Sequence, residues 1–352
     1  MSHITSSLEH LDHYINTAIK TRDITVSFSD LFGGARHVIR WLFPSWMDEH
    51  LDFVQFKDGI TNKLVKCTNR SLSLSVLVRV YGNRSELLID RRQEIRNFVV
   101  LSELNLGPRL YGKFTNGLVY GFLSGDAISV TDMSRPDKSK LIAKQLAKWH
   151  GVQLAGERVS ALFTTLQKWL NEVPEMYENP QVNAIFQARF NMANIREEIQ
   201  SLQQELEALR SPVVFCHCDL LNANLIYNKE GDTISFIDVE YACYNYQGFD
   251  IGNHFNEFAG FECDFSLYPK KDFQKIWLHN YLSAVHPDRD PTEEEIERLY
   301  SEVNKFALAS HCYWGLWALV QARLSEIDFD YMGYAIKRFD EYNKRKEEFL
   351  SL

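Results

Sequence analysis

The sequence predicts an α+β chain of two lobes: a small, mostly antiparallel β-rich lobe over residues 1–124 and a larger, mainly helical lobe over 125–352. Three observations predict it. At 352 residues the chain outgrows a single compact core. Hydrophobic residues recur with period two through much of the first third and with helical spacing after Gly125. A short island of strands, Val213 to Val239, interrupts the helical part.

In chain order, residues 1–35 carry a weak helical pattern, with Gly33-Gly34 read as a break. Leu51–Phe53 and Lys63–Cys67 read as short strands around a turn at Asp58-Gly59, and Ser73–Tyr81 as a longer one. Asp90 is the expected N-cap of a helix whose Ile95, Phe98, Val99 and Leu101 share an apolar stripe, and Gly107-Pro108 stops it. Arg109–Phe114 and Leu118–Leu123 follow as strands joined by a hairpin turn at Asn116-Gly117. Helices are expected around Leu141–His150, Leu162–Leu170 and Ile185–Leu209. In the last, Ile195, Ile199, Leu202, Leu206 and Leu209 form a stripe of only two heptads, which fits a buried or homodimer-facing helix better than a coiled coil. Pro291-Thr292 followed by three Glu is a helix start with acids in its first turn, and helical pattern continues to Lys346.

Composition narrows the function. Lys and Arg number 38 against 47 Asp and Glu, a formal charge of −9. That balance argues against a nucleic-acid binder, which needs a basic face for phosphates, and suits a small cationic substrate. No run approaches the roughly 18 apolar residues of a membrane span; the richest, Cys312–Val320, is about half as long, so no stable membrane insertion is expected. Met1–Lys20 has no apolar segment of the secretory type. Six scattered Cys read as reduced thiols of a cytoplasmic protein. Cys216-His217-Cys218 lacks the second Cys/His pair a zinc site would need.

The chemistry sits in the island. An apolar strand runs into His217-Cys218-Asp219, Asn224 follows five residues after the acid, and a strand, a turn and another strand lead to Ile237-Asp238. A hairpin of that length brings Asp238 beside the loop carrying Asp219 and Asn224. Singly, an Asp capping a turn or ending a strand is ordinary. Together, two carboxylates and an amide from separate segments match what phosphoryl transfer needs: one acid for the attacking hydroxyl and hard oxygen ligands for Mg²⁺.

With Tyr241, Tyr244-Asn245-Tyr246, and Phe249-Asp250-Ile251-Gly252-Asn253 through Glu257, this string resembles the choline/ethanolamine kinases of the protein-kinase-like superfamily. Asp58–Leu64, Val78–Asn83, Phe306–His311 and Trp314-Gly315-Leu316-Trp317 extend the resemblance, which covers roughly Asp52 to Lys346. The Asp58-to-Leu64 loop, the Leu220-Leu221 pair and Asn256-Glu257-Phe258-Ala259-Gly260 are most similar to the ethanolamine kinase branch.

The resemblance implies a two-lobed kinase-like fold binding ATP and Mg²⁺ and phosphorylating ethanolamine, an entry step to phosphatidylethanolamine synthesis. It implies Asp219 as the acid facing the substrate hydroxyl, and Asn224 and Asp238 as Mg²⁺ ligands. Arg79 stands where most kinases place a phosphate-binding Lys, with Glu94 as its expected ion-pair partner over Glu86 and Glu103. Asp58, Thr61 and Asn62 fall on the phosphate loop, and Tyr120 and Phe122 on the segment resembling the adenine-binding hinge. Glu240, Tyr241, Glu257, Trp314, Trp317 and Tyr334 match the substrate pocket, where the two Trp would otherwise read as plain core. His217 and Asp250 are expected to brace the catalytic loop, and Asn253 to do that or touch substrate. Three alternatives stay open: a choline or dual-substrate kinase, an antibiotic phosphotransferase sharing the H-x-D-x-x-x-x-N pattern, and a catalytically silent scaffold.

Overall fold

The computed structural model describes residues 7–56, 62–82, 87–325 and 327–352. The chain divides into two compact units, Met1–Ser124 with Leu154–Gly156, and Gly125–Gln153 with Glu157–Leu352.

The first unit opens with helix α1 (Leu8–Ala18), strand β1 (Lys20–Arg22) and helix α2 (Leu31–Leu42). Strands β2 (Leu51–Phe56), β3 (Asn62–Asn69) and β4 (Leu74–Tyr81) follow, then helix α3 (Arg91–Glu103) and strands β5 (Leu110–Phe114) and β6 (Gly117–Gly121). They form one sheet in the order β1-β5-β6-β4-β3-β2, antiparallel except for the parallel β1–β5 pair. Val38, Ile39 and Leu42 of α2 share a core with Val65, Val76, Val78, Val80 and Val119 of the sheet. Along β4 the residues Val76 to Val80 are buried without alternation, so both faces of this strand are covered. Val76, Val78 and Val80 join that core, while Arg79 points the other way, to Glu94 of α3.

Two features of this unit correct the sequence reading. Lys20–Arg22 is a strand, adding a parallel edge that three exposed polar residues do not advertise. Gly33-Gly34 is no break: both lie inside α2. Asp30 caps the helix by accepting from Gly33 N at 3.1 Å, and a Cβ on Gly34 would stand 2.5 Å from Val26 Cγ1. The pair is there for close approach at a helix start rather than to end one.

The second unit begins with strand β7 (Asp126–Ala127) and helices α4 (Val130–Met133), α5 (Pro136–His150), α6 (Leu162–Glu172), α7 (Pro180–Arg189) and α8 (Met192–Ala208). The island supplies β8 (Val213–Cys216), β9 (Leu225–Asn228), β10 (Thr233–Phe236) and β11 (Cys243–Tyr246). Helices α9 (Gln247–Asn256), α10 (Lys271–Val285), α11 (Glu293–Leu324) and α12 (Tyr331–Leu350) complete it. Helix α11 starts on a capping box between Thr292 and Glu295 and is buried continuously from Phe306 to Val320, with α6, α8, α9, α10 and α12 packed on it.

The expected single helix over Ile185–Leu209 is two. Phe190 is extended, and the Asn191 side chain accepts from Ala193 N and Asn194 N to start α8 afresh. Ile199, Leu202 and Leu206 of its stripe are buried inside the unit, so the stripe is core and not a dimer face. The island also differs from a single run of strands. β9 pairs with β10 and β7, whereas β8 pairs with β11, a strand the sequence pattern does not announce.

Candidate active site

β8 delivers the chain at Cys216 to the loop that carries Asp219 and Asn224, and Asp250 of α9 shapes what comes next. Its carboxylate accepts from His217 N at 2.8 Å and Cys218 N at 2.7 Å, and meets His150 Nε2 at 3.0 Å. Burial alone would raise the Asp250 carboxyl, but His150, His217 and the backbone donor hold it below the usual carboxylate range. Cys218 takes a left-handed conformation, φ 64°, which turns the chain between the end of β8 and Asp219. His217 donates from Nε2 to the Ile237 carbonyl at 2.9 Å, and Ile237 N donates to the Asn224 carbonyl at 3.1 Å. Those bonds stitch the Asp219–Asn224 loop to the end of the β9–β10 hairpin, beside which Asp238 sits with φ 63°.

Asn224 ends a short 3₁₀ turn, and its Nδ2 donates to Asp219 at both the carbonyl oxygen (2.8 Å) and Oδ2 (3.1 Å). Asp219 is buried, with 9% of its surface exposed. Its carboxyl is raised well above the ordinary value by burial and by the negative charges of Asp238, Glu257 and Glu240, against the opposing hydrogen bond from Asn224. So Asp219, Asn224 and Asp238 converge, with Glu240 and Glu257 close enough to be felt.

This donor set fits a hard divalent cation. The oxygens come from carboxylates and an amide, the amide nitrogen is already committed to Asp219, and the carboxylates repel one another in a way a cation between them would relieve.

Behind the acid stands an aromatic wall. Trp314 Nε1 donates to Asn253 Oδ1 at 2.7 Å and Trp317 Nε1 to the Tyr241 hydroxyl at 2.8 Å, fixing both indoles. Tyr241 meets Trp314 edge-on at 5.3 Å, and Trp317 meets Tyr334 edge-on at 6.5 Å. Glu257 lies among them, in an ion pair with Arg338 at 3.2 Å. Asn253 also donates to the Cys218 carbonyl at 3.1 Å, so it braces the loop.

In the first unit, Arg79 Nη1 meets Glu94 Oε1 at 3.1 Å with both side chains buried. Glu94 is shared: Arg91 Nη1 lies 3.0 Å from its other oxygen, and Arg91 Nη2 donates to Asn62 Oδ1 at 3.3 Å. Sequence reasoning missed Arg91; its place one residue after the Asp90 cap, three before Glu94, was the available signal. Of the alternative partners, Glu103 accepts from the Tyr14 hydroxyl instead. Asp58, Thr61 and Glu86 lie outside the described residues. Tyr120 packs its ring on Phe98, and the Phe122 ring carries Lys66 Nζ at 3.7 Å. The backbone N–H groups of Gly121 and Phe122 already donate to Arg109 O and Ser75 O.

Comparison with known proteins then decides the family. The family model described as choline/ethanolamine kinase matches residues 53–343. The chain belongs to the choline/ethanolamine kinase family. It is 40% identical over 336 residues to the probable ethanolamine kinase A of Dictyostelium discoideum, covering 93% of this chain and 96% of that protein. Ethanolamine kinase 1 of Mus musculus is 43% identical over 328 residues, 91% of this chain and 90% of the other. Among solved structures, an ethanolamine kinase of Plasmodium vivax superposes with a TM-score of 0.82 at 31% identity, covering 95% of this chain and 93% of that one. The fold is that of the kinase-like members of this family, with the six-stranded sheet in one unit and the Asp219–Asn224 loop in the helical other. Among the described residues no helix is long and apolar enough to cross a membrane.

Proposed function

We propose that the chain transfers the γ-phosphoryl group of ATP to the hydroxyl of ethanolamine, releasing phosphoethanolamine and ADP. The observation that carries this reading is the placement of Glu257, Tyr241 and Tyr334 within electrostatic reach of Asp219, with the Trp314 and Trp317 indoles packed on the two tyrosines. A small cation held there presents its hydroxyl to the acid. The relatives' shared name and the length of the match support the same substrate.

Asp219 orients the attacking hydroxyl and accepts its proton as the oxygen bonds to phosphorus and the bridge to ADP breaks. Asn224 and Asp238 are the residues that would hold Mg²⁺, which when bound offsets the charge of the phosphates. Arg79, set by Glu94, and Asn62, set by Arg91, are the phosphate-facing groups of the first unit, and Asp58 and Thr61, close before Asn62 in sequence, are assigned to the same phosphates. Adenine is read along the chain at the end of β6, beyond the amides already spent at Gly121 and Phe122, near the Tyr120 and Phe122 rings. Glu240, Tyr241, Glu257, Trp314, Trp317 and Tyr334 line the ammonium pocket. Cation–π contact there is worth about 1–2 kcal/mol when desolvated. A primary ammonium adds three N–H donors that a trimethylammonium lacks, and Glu257 is the acceptor for them. The reaction belongs in the cytoplasm, where its nucleotide is supplied.

A purified sample assayed for ADP release with ethanolamine, its N-methyl derivatives and choline tests the reading. We expect kcat/KM to fall with each methyl group. Equal or better use of choline would replace ethanolamine as substrate, and no turnover on any amino alcohol would favour the silent scaffold.

A further inference from the structure

The most unusual group in the second unit is a buried cation that the motif string does not contain. Arg338 of α12 is 2% exposed, and the desolvation this costs must be offset by pairing. Its guanidinium is used on two sides. Nη1 donates to Glu257 Oε1 at 3.2 Å and to the Tyr334 hydroxyl at 3.3 Å. Nη2 donates to the Ser310 carbonyl at 3.2 Å and to Ser310 Oγ at 2.8 Å. From there the bonds continue. Ser310 Oγ donates to Asn253 Oδ1 at 2.8 Å, the same oxygen that takes the Trp314 indole, and Asn253 Nδ2 donates to the Cys218 carbonyl at 3.1 Å. The next residue is Asp219.

We propose that Arg338 is a positioning residue of the kinase reaction: one edge of its guanidinium fixes Glu257 and Tyr334 at the ammonium pocket, and the other fixes, through Ser310 and Asn253, the loop that carries Asp219. The inference rests on the ethanolamine kinase reading and adds to it the group that couples pocket to acid. Arg is suited to the task and Lys is not, because a planar fork with several N–H donors serves two directions at once while an ammonium is a single point. Arg338 also favours the charged form of Glu257, whose carboxyl is nevertheless raised on balance. Burial pushes the Glu257 carboxyl up, and the adjacent guanidinium opposes that rise. With Oε1 held by Arg338, Oε2 is the oxygen that meets the ammonium. A plain packing role for α12 against α11 would need none of these bonds to end on the pocket and the catalytic loop.

The two arms make the test. Steady-state kinetics on the full chain, varying ethanolamine and ATP separately, would compare Arg338→Met, Arg338→Lys and Ser310→Ala with the unaltered protein. Arg338→Met should lower kcat/KM for ethanolamine about 10²-fold, the size of effect a misplaced reacting group produces, with KM for ATP unchanged. Arg338→Lys should recover KM for ethanolamine, by restoring charge beside Glu257, without recovering kcat. Ser310→Ala, which cuts only the loop arm, should lower kcat about tenfold at unchanged KM for ethanolamine. Where Arg338→Met does not fold, Ser310→Ala and Tyr334→Phe divide the question the same way, the first acting on kcat and the second on KM. Wild-type kcat and KM in these variants, while the unaltered chain turns over, would overturn the inference and leave the functional reading standing. An unaltered chain that phosphorylates no amino alcohol would take down both.

Discussion

Asn224 turns its amide nitrogen onto Asp219, reaching Oδ2 at 3.1 Å and the backbone carbonyl at 2.8 Å. The bond sets the acid's orientation, and it decides which end of the amide is left for a cation. Replacing Asn224 with Asp removes both donations and adds a charge to an already crowded cluster. Turnover should fall by about 10²–10³-fold, while the Mg²⁺ concentration for half-maximal rate should fall, because an added carboxylate strengthens the cluster's hold on a cation. A Mg²⁺ titration of the ADP-release rate checks this, and a variant with the wild-type midpoint would remove Asn224 from the metal site.

Arg79 and Arg91 hold the two oxygens of a Glu94 that is entirely buried. Arg79→Met withdraws one guanidinium from that carboxylate and should cost about 3 kcal/mol in urea unfolding, as breaking a buried pair does. KM for ATP should rise in the same variant while KM for ethanolamine holds. An unchanged KM for ATP would return Arg79 to a purely structural role.

His254 is buried, donates from Nδ1 to the Leu220 carbonyl at 2.8 Å, and has its pKa lowered by burial from 6.5 to about 4. A depressed folded-state pKa means the neutral ring stabilises the fold fully above pH 6.5. Below it the unfolded chain binds a proton that the folded one refuses, so stability is lost as pH falls toward 4, by roughly 3 kcal/mol from this group. His254→Asn keeps a donor and cannot titrate. Its unfolding free energy should depend less steeply on pH between 6.5 and 4 than that of the unaltered chain; parallel curves would count against the assignment.

Gly252 on α9 lies against the backbone of α11: an added Cβ would be 2.5 Å from the Val303 carbonyl and 2.9 Å from Ala307 N. Backbone cannot rotate away, so Gly252→Ala must part the helices. We expect a loss of about 2 kcal/mol in stability and, because α9 carries Asp250 and Asn253, a fall in kcat as well. Thermal unfolding followed by kinetics at a temperature where the variant is folded would separate the two effects.

Legibility followed contact range. The strand, loop and hairpin from Val213 to Asp238 are contiguous, and the bonds that close them, His217 to Ile237 and Ile237 to Asn224, join residues no more than 20 apart. Local order therefore carries the geometry of the acid and its amide. The α3 helix was readable for a like reason, since Asp90 caps it and Glu94 lies on its first turn.

What the sequence by itself determined was the alternation of strand and helix pattern, the acid–amide–acid string, and through that string the family and its phosphoryl chemistry. Only the tertiary structure decided that Lys20–Arg22 pairs with β5, that Arg91 shares Glu94, and that Arg338, 81 residues from Glu257, is buried against it. Two basic residues stand side by side on α12, and nothing local separates them: Lys337 is exposed and donates to the Glu262 carbonyl, while Arg338 is buried. Which charge on a helix faces inward depends on what packs against that helix, and long-range packing leaves no local pattern to read.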